Sequence, residues 1–150
     1  MKQLSLIFFF FIYVTNGIQA QESDQNNEII FVVDMAVIND KSDVEVADFS
    51  AFYTSAIKDN ETHTLGWGFY ESNGKVVLIE RYTNSKAMMK HAKNISLEGP
   101  MQNHFVKFMD HFRIQKIDVY GNISEELKVL LESFKLPFIY HKPFASFSRN

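Results

Sequence analysis

Beyond residue 28, the pattern of apolar and polar residues predicts a buried strand followed by an amphipathic helix. Residues 29–38 are almost all apolar and rich in β-branched side chains, which is typical of a central strand. Ser42 and Glu45 have the spacing of a capping box, which marks a helix start. The apolar residues that follow have the i, i+3, i+4, i+7, i+8 spacing of one buried helix face: Phe49, Phe52, Tyr53, Ala56 and Ile57.

A β-hairpin is the clearest element of the sequence. Asn73-Gly74 is the preferred two-residue turn of type I′, because both of its central residues must tolerate positive φ. The turn predicts strands over 62–72 and 75–83 and fixes their register, starting from the pairing of Ser72 with Lys75. Counting outward, one side of the hairpin carries the pairs Glu71–Val76, Phe69–Leu78, Trp67–Glu80 and Leu65–Tyr82, with His63 beyond them.

Three helices and two strands are predicted for the rest of the chain. A helix from about Ser85 places Met88, His91, Ala92 and Ile95 on one apolar face. Gly99-Pro100 ends it, and a helix from Pro100 aligns Met101, Phe105, Phe108, Met109 and Phe112. A strand over 113–120 precedes a short helix from Ser124 with Leu127, Leu130, Leu131 and Phe134 on one face. The last strand, over 137–148, is expected at a sheet edge because Pro143 cannot donate a ladder hydrogen bond.

The predicted order, β-α-β-β-α-α-β-α-β, is typical of an α+β fold. In such a fold the helices cover one face of an antiparallel sheet, and the order matches the ferredoxin-like plan. Apolar residues on both sides of the first strand indicate that the second face of the sheet is covered as well. A second subunit, packed sheet on sheet, is the simplest cover, so we expect a homodimer.

The first 20 residues have the order of a secretory signal peptide. Met1-Lys2-Gln3 is positively charged, residues 4–14 form an apolar run of about 11 residues, and Ala20 is a small residue suited to cleavage. A bilayer span needs about 20 apolar residues, so a permanent membrane helix is the weaker interpretation. We expect a periplasmic or secreted protein with no stable membrane insertion after cleavage, a flexible lead-in over 21–28 and one domain over 29–149.

The composition of the chain excludes several kinds of functional site. The 150-residue chain has no cysteine, which excludes disulfides, thiolate zinc sites, iron–sulfur clusters and a cysteine nucleophile. Its net charge of −3 and its lack of a basic run give no electrostatic basis for nucleic-acid binding. No HxH, HxxxH or HExxH spacing occurs, so we expect no metal site. The absence of a glycine-rich phosphate loop and of GxSxG leaves dinucleotide enzymes and hydrolases without support.

The hairpin and the helix after it resemble the antibiotic biosynthesis monooxygenase (ABM) domain family. The resemblance lies in Leu65-Gly66-Trp67-Gly68-Phe69-Tyr70, in Val77-Leu78-Ile79-Glu80-Arg81-Tyr82, and in Ala87 and His91. It implies a ferredoxin-like protomer that dimerises through its sheet into a dimeric α/β barrel. It also implies an oxidoreductase without a cofactor, since relatives include cofactor-free monooxygenases of quinols and polycyclic aromatics, beside haem-degrading enzymes. Many members have no established activity, so the fold alone does not settle the function.

Glu80, opposite Trp67, is the first candidate catalytic residue. If this side of the hairpin faces the helices, the Glu80 carboxylate lies in an aromatic wall, where desolvation raises its pKa. Such a group can take a proton from a phenol or quinol, which leaves a carbanion able to react directly with dioxygen. The alternative is a carboxylate near a strand end that is solvated or paired with Arg or Lys.

His91 is the second candidate, because it lies on the apolar face of its helix between Met88 and Ile95. A titrating imidazole there could be a base in a pocket. The alternative is a buried His bonded to backbone or to a carboxylate such as Glu80. The residues expected to bind the substrate are His63, Trp67, Tyr82, His104 and Phe105. The Phe and Met residues of 101–112 are more typical of a core than of a cofactor box.

The sequence thus predicts an exported, ABM-like, cofactor-independent monooxygenase that acts on a quinol-like or phenolic small aromatic molecule. Glu80 and His91 are its predicted proton-handling pair. The alternative is a non-catalytic small-molecule-binding or stress-associated dimer that uses the same cavity. The third hypothesis is a haem-binding or haem-degrading protein, for which the first strand offers only Asn39 at its far end.

Overall fold

The apolar strand predicted at the start of the domain is the central strand of a five-stranded sheet. A computed structural model of the protein describes residues 27–148; the predicted signal peptide lies outside the described residues. The elements are β1 (Ile29–Val37), α1 (Asp43–Asn60), β2 (Thr64–Ser72), β3 (Lys75–Tyr82), α2 (Ser85–Ile95), α3 (Gln102–His111), β4 (Phe112–Tyr120), α4 (Glu125–Glu132) and β5 (Phe138–His141). Every predicted element is therefore present in the predicted order.

The strand order is β2-β3-β1-β4-β5, which is the ferredoxin-like arrangement with one strand added at an edge. β1 pairs antiparallel with both β3 and β4, which is consistent with the predicted central strand. β5 pairs parallel with β4, so the prediction of a wholly antiparallel sheet is wrong. The reason is that α4 connects β4 to β5, and a helical crossover returns the chain in the same direction. β5 does lie at the edge, but it has four residues and not the predicted twelve.

The β2–β3 hairpin has the predicted register over most of its length. Ser72 pairs with Lys75, and Trp67 pairs with Glu80. The prediction that Leu65 pairs with Tyr82 is wrong, because the register shifts between Thr64 and Gly66 and Thr64 takes the place opposite Tyr82. This bulge adds one residue to β2 and turns Thr64 toward the side of the sheet that carries the Trp67–Glu80 pair.

Helix α1 begins where its capping box predicts, whereas α3 begins at Gln102, two residues after the predicted start at Pro100. Ser42 and Glu45 form both hydrogen bonds of the capping box at the start of α1. Phe49, Tyr53 and Ile57 are buried, whereas Phe52, predicted on the same face, is 46% exposed at the margin of the helix face. In the next helices, Met109 is exposed, and Phe112 is the buried first residue of β4 instead of the end of α3.

The two faces of the sheet differ in burial. Alternate residues of β1 and β3 form the core beneath the helices: Ile29, Phe31, Val33, Met35, Val76, Leu78, Glu80 and Tyr82. The opposite face, which we call the open face, carries Ile30, Val32, Ala36, Val77 and Ile79, all half-buried in one chain. An ion-paired row crosses this face, where Lys116 Nζ lies 2.7 Å from Asp118 and 3.6 Å from Asp34.

Glu28, immediately before β1, packs against the folded domain. Glu28, assigned above to a flexible lead-in, is buried, and it accepts a hydrogen bond from Arg81 Nε at 2.6 Å. Within the described part of the chain, no helix is long and apolar enough to cross a membrane.

We expect Phe31→Ala to destabilise the fold by about 3–5 kcal/mol, because a large buried side chain is lost and a cavity remains. Phe31 is 2% exposed and makes edge-to-face contacts with Tyr82 and Phe138. Chemical unfolding monitored by circular dichroism measures the change. Phe144→Ala, at a fully exposed position, is the matched control and should change the free energy of unfolding by less than about 0.5 kcal/mol. Equal effects of the two substitutions would contradict the assignment of the core.

Candidate functional site

A small cavity lies between the sheet and the helices α2, α3 and α4. Its volume is about 50 Å³, which is room for a few water molecules. Four polar or ionisable side chains reach its wall, namely those of Tyr53, Trp67, Glu80 and His91. The rest of the wall is apolar: Phe31, Val33, Leu78, Met88, Ala92, Ile95, Phe105, Phe108, Ile114, Ile117, Leu131, Phe134, Leu136 and Phe138. An acid and an imidazole therefore share one apolar cavity.

Glu80 is held on the sheet side of this cavity by β3. Its side chain is buried and accepts a hydrogen bond of 2.6 Å from the Tyr82 hydroxyl, two residues along the same strand. Burial raises the pKa of Glu80 above its ordinary value, and the hydrogen bond and the nearby His91 only partly oppose this effect. The alternative of a solvated or Arg- or Lys-paired carboxylate is thus wrong. Glu80 is a carboxyl group with a raised affinity for a proton.

His91 faces Glu80 from the helix side. It lies on the apolar face of α2 and is 3% exposed, as the spacing with Met88 and Ile95 predicts. Its Nδ1 lies 3.0 Å from Glu61 Oε1 and 3.1 Å from Glu61 Oε2. Burial by itself would lower the pKa of His91, but the Glu61 hydrogen bond and the charges of Glu80 and Glu61 outweigh burial and raise it. His91 is therefore bonded to a carboxylate, although to Glu61 and not to Glu80.

Glu61 is the residue of this site that the sequence predictions missed. It caps the C-terminal end of α1, where its own backbone N–H donates to the Ile57 carbonyl. Its carboxylate also accepts hydrogen bonds of 3.0 Å from Asn94 Nδ2 and from Thr64 Oγ1. Burial would raise the pKa of Glu61, but these donors and His91 lower it, so Glu61 is the ionised member of the group. An acidic residue at a helix C-terminus opposes the helix dipole, and that position is the only signal for it in the sequence.

Trp67 links these groups to the aromatic core. Its ring is stacked on Tyr53 with centroids 5.5 Å apart and lies 5.2 Å from the His91 ring. Its Nε1 is buried, and among residues 27–148 it has no hydrogen-bond partner. Burial raises the pKa of the neighbouring Tyr53 hydroxyl, with further increases from Glu80 and Glu61, so this group stays neutral. Trp67 therefore offers an unused donor beside the ionisable pair.

The structure separates the other residues predicted to bind a substrate. Phe105 lies on the cavity wall, and Tyr82 lies behind Glu80 as its hydrogen-bond donor. His104 does not line the cavity; it is stacked on Phe52 at 5.1 Å, and its buried Nδ1 has no partner in the described part of the chain. His63 is exposed in the turn before β2, away from the wall. The geometry thus brings together Trp67, Glu80, His91 and Phe105, but not His63 or His104.

Glu61, Glu80 and His91 lie close together, which raises the question of a metal site. Within residues 27–148, however, no three His, Asp or Glu side chains are grouped so that they could hold a metal ion together. What the described side chains provide is acid–base chemistry: a proton-binding carboxyl, an oriented imidazole and an unused indole donor around one apolar space.

Comparison with known proteins identifies the fold. No protein-family model matches the sequence. No curated protein is significantly similar to it. MupZ from Pseudomonas fluorescens has a similar solved structure, with a TM-score of 0.63 and 17% identity over 83% of this chain and 96% of MupZ. SnoaB from Streptomyces nogalater, a cofactor-independent oxygenase solved as a point mutant, has a TM-score of 0.51 and 15% identity over 65% of this chain and 95% of SnoaB.

An antibiotic biosynthesis monooxygenase candidate from Deinococcus radiodurans is also similar, with a TM-score of 0.47 and 17% identity over 64% of this chain and 93% of that protein. At these identities the comparisons show the fold alone. The chain shares the fold of MupZ and SnoaB, and its strand order is the ferredoxin-like arrangement that the resemblance around the hairpin implies.

We expect Glu80→Gln to make the protein more stable than wild type at pH 8. A carboxyl whose pKa is raised on folding contributes stability below its unfolded pKa, and this contribution is lost as pH rises through the folded pKa. Gln keeps an acceptor for the Tyr82 hydroxyl but cannot ionise. Urea unfolding at pH 8 and pH 4 measures the difference, which should shrink at pH 4. Glu71→Gln, at an exposed position of the hairpin, is the control. A Glu80→Gln variant less stable than wild type at pH 8 would contradict the assignment.

Proposed function

We propose that this protein is an exported, homodimeric, cofactor-independent monooxygenase of a small phenolic or quinol-like molecule. The observation that carries the proposal is the pair formed by Glu80 and His91, two ionisable groups with raised pKa values on opposite walls of one apolar cavity. A raised pKa brings a carboxyl closer to the range in which a general base is effective. The name of SnoaB, a cofactor-independent oxygenase with a similar fold, supports the same reaction class.

The reaction balances with dioxygen as the only co-substrate. Ionised Glu80 takes the proton of the phenol hydroxyl, and the negative charge of the phenolate reaches the para carbon. That carbon reduces dioxygen and bonds to one of its oxygens, and the outer oxygen takes a proton to form a hydroperoxide. Loss of the carbon-bound proton and cleavage of the O–O bond then leave a second carbonyl and release water. Overall, a phenol and O₂ give a quinone and H₂O.

His91 supplies the positive charge and the proton that these reaction steps need. Because its pKa is raised, its imidazolium form persists to a higher pH than that of an exposed His. A cation in a low-dielectric cavity stabilises the phenolate and the reduced oxygen, and it can protonate the outer oxygen. Glu80 and His91 thus have complementary roles as base and acid.

The size of the cavity limits the substrate. A volume of about 50 Å³ lies well below the roughly 300–1,000 Å³ typical of ligand pockets. We propose a single-ring substrate, admitted when the half-buried Phe105 and Phe134 on the helix side move outward. The haem hypothesis gains no support from this volume, and Asn39, its required strand residue, bonds to Asp110 on the exposed surface.

We expect oxygen uptake with a panel of single-ring quinols and phenols, and a loss of about 10²–10⁴-fold in kcat/KM in His91→Ala and Glu80→Gln. Activity should rise with pH as Glu80 ionises, at a pH above the ordinary carboxyl range, and fall as His91 loses its proton. An oxygen electrode measures the rate, and mass spectrometry with ¹⁸O₂ tests for oxygen incorporation.

His104→Ala is the matched control, since His104 lies outside the cavity wall and should leave the rate nearly unchanged. Absence of uptake above a protein-free sample for every substrate would contradict the monooxygenase. Retention of an aromatic ligand in native mass spectrometry without turnover would instead establish the binding protein predicted as the alternative.

The open face of the sheet supports the homodimer. Its apolar residues Val32, Val77 and Ile79 are only half-buried in one chain, and Tyr70 is 55% exposed. Covering such a face with the same face of a second copy removes apolar surface from water, which is the main driving force for association. Export is proposed from the N-terminal segment alone.

We expect the wild-type protein to be a dimer at micromolar concentration and Ile79→Lys to be a monomer, because an unpaired ammonium group in the interface is costly. Size-exclusion chromatography with light scattering gives the mass of each. Val129→Lys is the control, since Val129 is 68% exposed on α4, on the helix side of the molecule. A dimeric Ile79→Lys variant or a monomeric wild type would contradict the sheet-to-sheet dimer.

A further inference from the structure

Glu61 lies at a position where its charge needs compensation. It is 5% exposed and stands at the C-terminal end of α1, where the helix dipole disfavours a negative charge. It is not on the cavity wall, so it does not meet a ligand directly. A buried carboxylate in such a place is stable only if several donors neutralise it.

The donors come from two different elements and occupy both oxygens. Oε1 accepts from Asn94 Nδ2 at 3.0 Å, and Oε2 accepts from Thr64 Oγ1 at 3.0 Å. His91 Nδ1 reaches both oxygens, at 3.0 and 3.1 Å. An ionised carboxylate can only accept, so the proton of this contact is on Nδ1. Asn94 and His91 stand three residues apart on α2 and therefore present their side chains to Glu61 together.

We infer that Glu61 is the positioning residue of this site, which holds the His91 ring in one orientation with Nδ1–H toward Glu61 and Nε2 left for the ligand. The catalytic role of this positioning rests on the proposed function. The bulge in β2 contributes to holding Glu61 in place. It puts Thr64, and not Leu65, opposite Tyr82 and within hydrogen-bond reach of the Glu61 carboxylate.

The charged and titratable groups around His91 are few. From the sheet, Glu80 and Tyr82 of β3 face it, and from α1 Glu61 faces it and Tyr53 shares its cavity wall. The α3 and α4 residues on the cavity wall are apolar, and the charged residues of α2 next to His91, such as Lys90, are exposed. Among the described residues, Glu61 is the only one of these groups that accepts a hydrogen bond from the His91 ring.

This arrangement favours a ligand that develops negative charge at an oxygen. With Nδ1–H bonded to Glu61, protonation of the ring puts the second N–H on Nε2, which can donate to a phenolate or to reduced dioxygen. Glu61 lowers the energy of that cation without contacting the ligand, in the manner of a carboxylate that orients a catalytic imidazole. The substrate class this predicts is one that passes through an oxyanion.

The test measures the His91 ring without any substrate. In a ¹H–¹⁵N spectrum of wild-type protein labelled at histidine, with the His91 signals identified by their absence in His91→Ala, we expect neutral His91 to carry its proton on Nδ1. Its titration should lie above the ordinary value of about 6.5. Glu61→Gln removes the charge and keeps an acceptor, so we expect the titration to fall by about one pH unit or more.

Asn94→Ala is the matched control, because it removes a donor to Glu61 but keeps the carboxylate beside His91. It should move the titration far less than Glu61→Gln does. An equal shift in both variants, or no shift in Glu61→Gln, would overturn the inference, since Glu61 would then act on packing alone. If Glu61→Gln does not fold, the wild-type spectrum decides, and a neutral ring protonated on Nε2 would overturn it.

The test of Glu61 as a positioning residue and the test of the proposed monooxygenase can fail independently of each other. Absence of oxygen uptake with a fixed Nδ1–H tautomer would reject the monooxygenase and keep the positioning role. Where uptake is present, Glu61→Gln should lower kcat by about tenfold or more, with little change in KM, and should move the basic limb of the pH profile to lower pH.

Discussion

The burial of ionisable side chains beneath α2 is the constraint on which the site depends. Glu61, Glu80 and His91 all lie within the layer between sheet and helices, where an unpaired charge is costly. Glu80 is satisfied by Tyr82 on its own strand, whereas Glu61 is satisfied by donors on α2 and β2. The C-terminal end of α1, the bulge in β2 and the position of α2 on the sheet therefore have to be compatible with one another.

Local signals were sufficient to predict most of the fold and part of the site. The Asn73-Gly74 turn fixes the hairpin register because a two-residue loop permits only one pairing, and the predicted Trp67–Glu80 contact follows from counting residues. Burial of His91 follows from helical spacing in the same way. These features depend on residues close in sequence, for which the geometry of a single strand or helix is enough.

Features that depend on distant contacts could not be predicted in this way. Glu61 and His91 are 30 residues apart, and only the packing of α2 against the end of α1 brings them together. The shift at Leu65 follows no local pattern, since the alternation of the strand continues through it. The parallel pairing of β5 depends on how far the α4 connection carries the chain. His63 is kept out of the cavity by the turn that precedes β2.

The stability lost at the site on one face of the sheet has to be supplied by packing elsewhere, including on the open face. A carboxyl group with a raised pKa, ionised for catalysis, destabilises the fold, and this chain has no cysteine with which a disulfide could offset that loss. Packing must therefore supply the missing stability. The helix side is already filled around a cavity of only about 50 Å³, whereas the open face still has half-buried Val32, Val77 and Ile79. In the proposed dimer, burial of that face stabilises the same β3 strand that carries Glu80 on its other side.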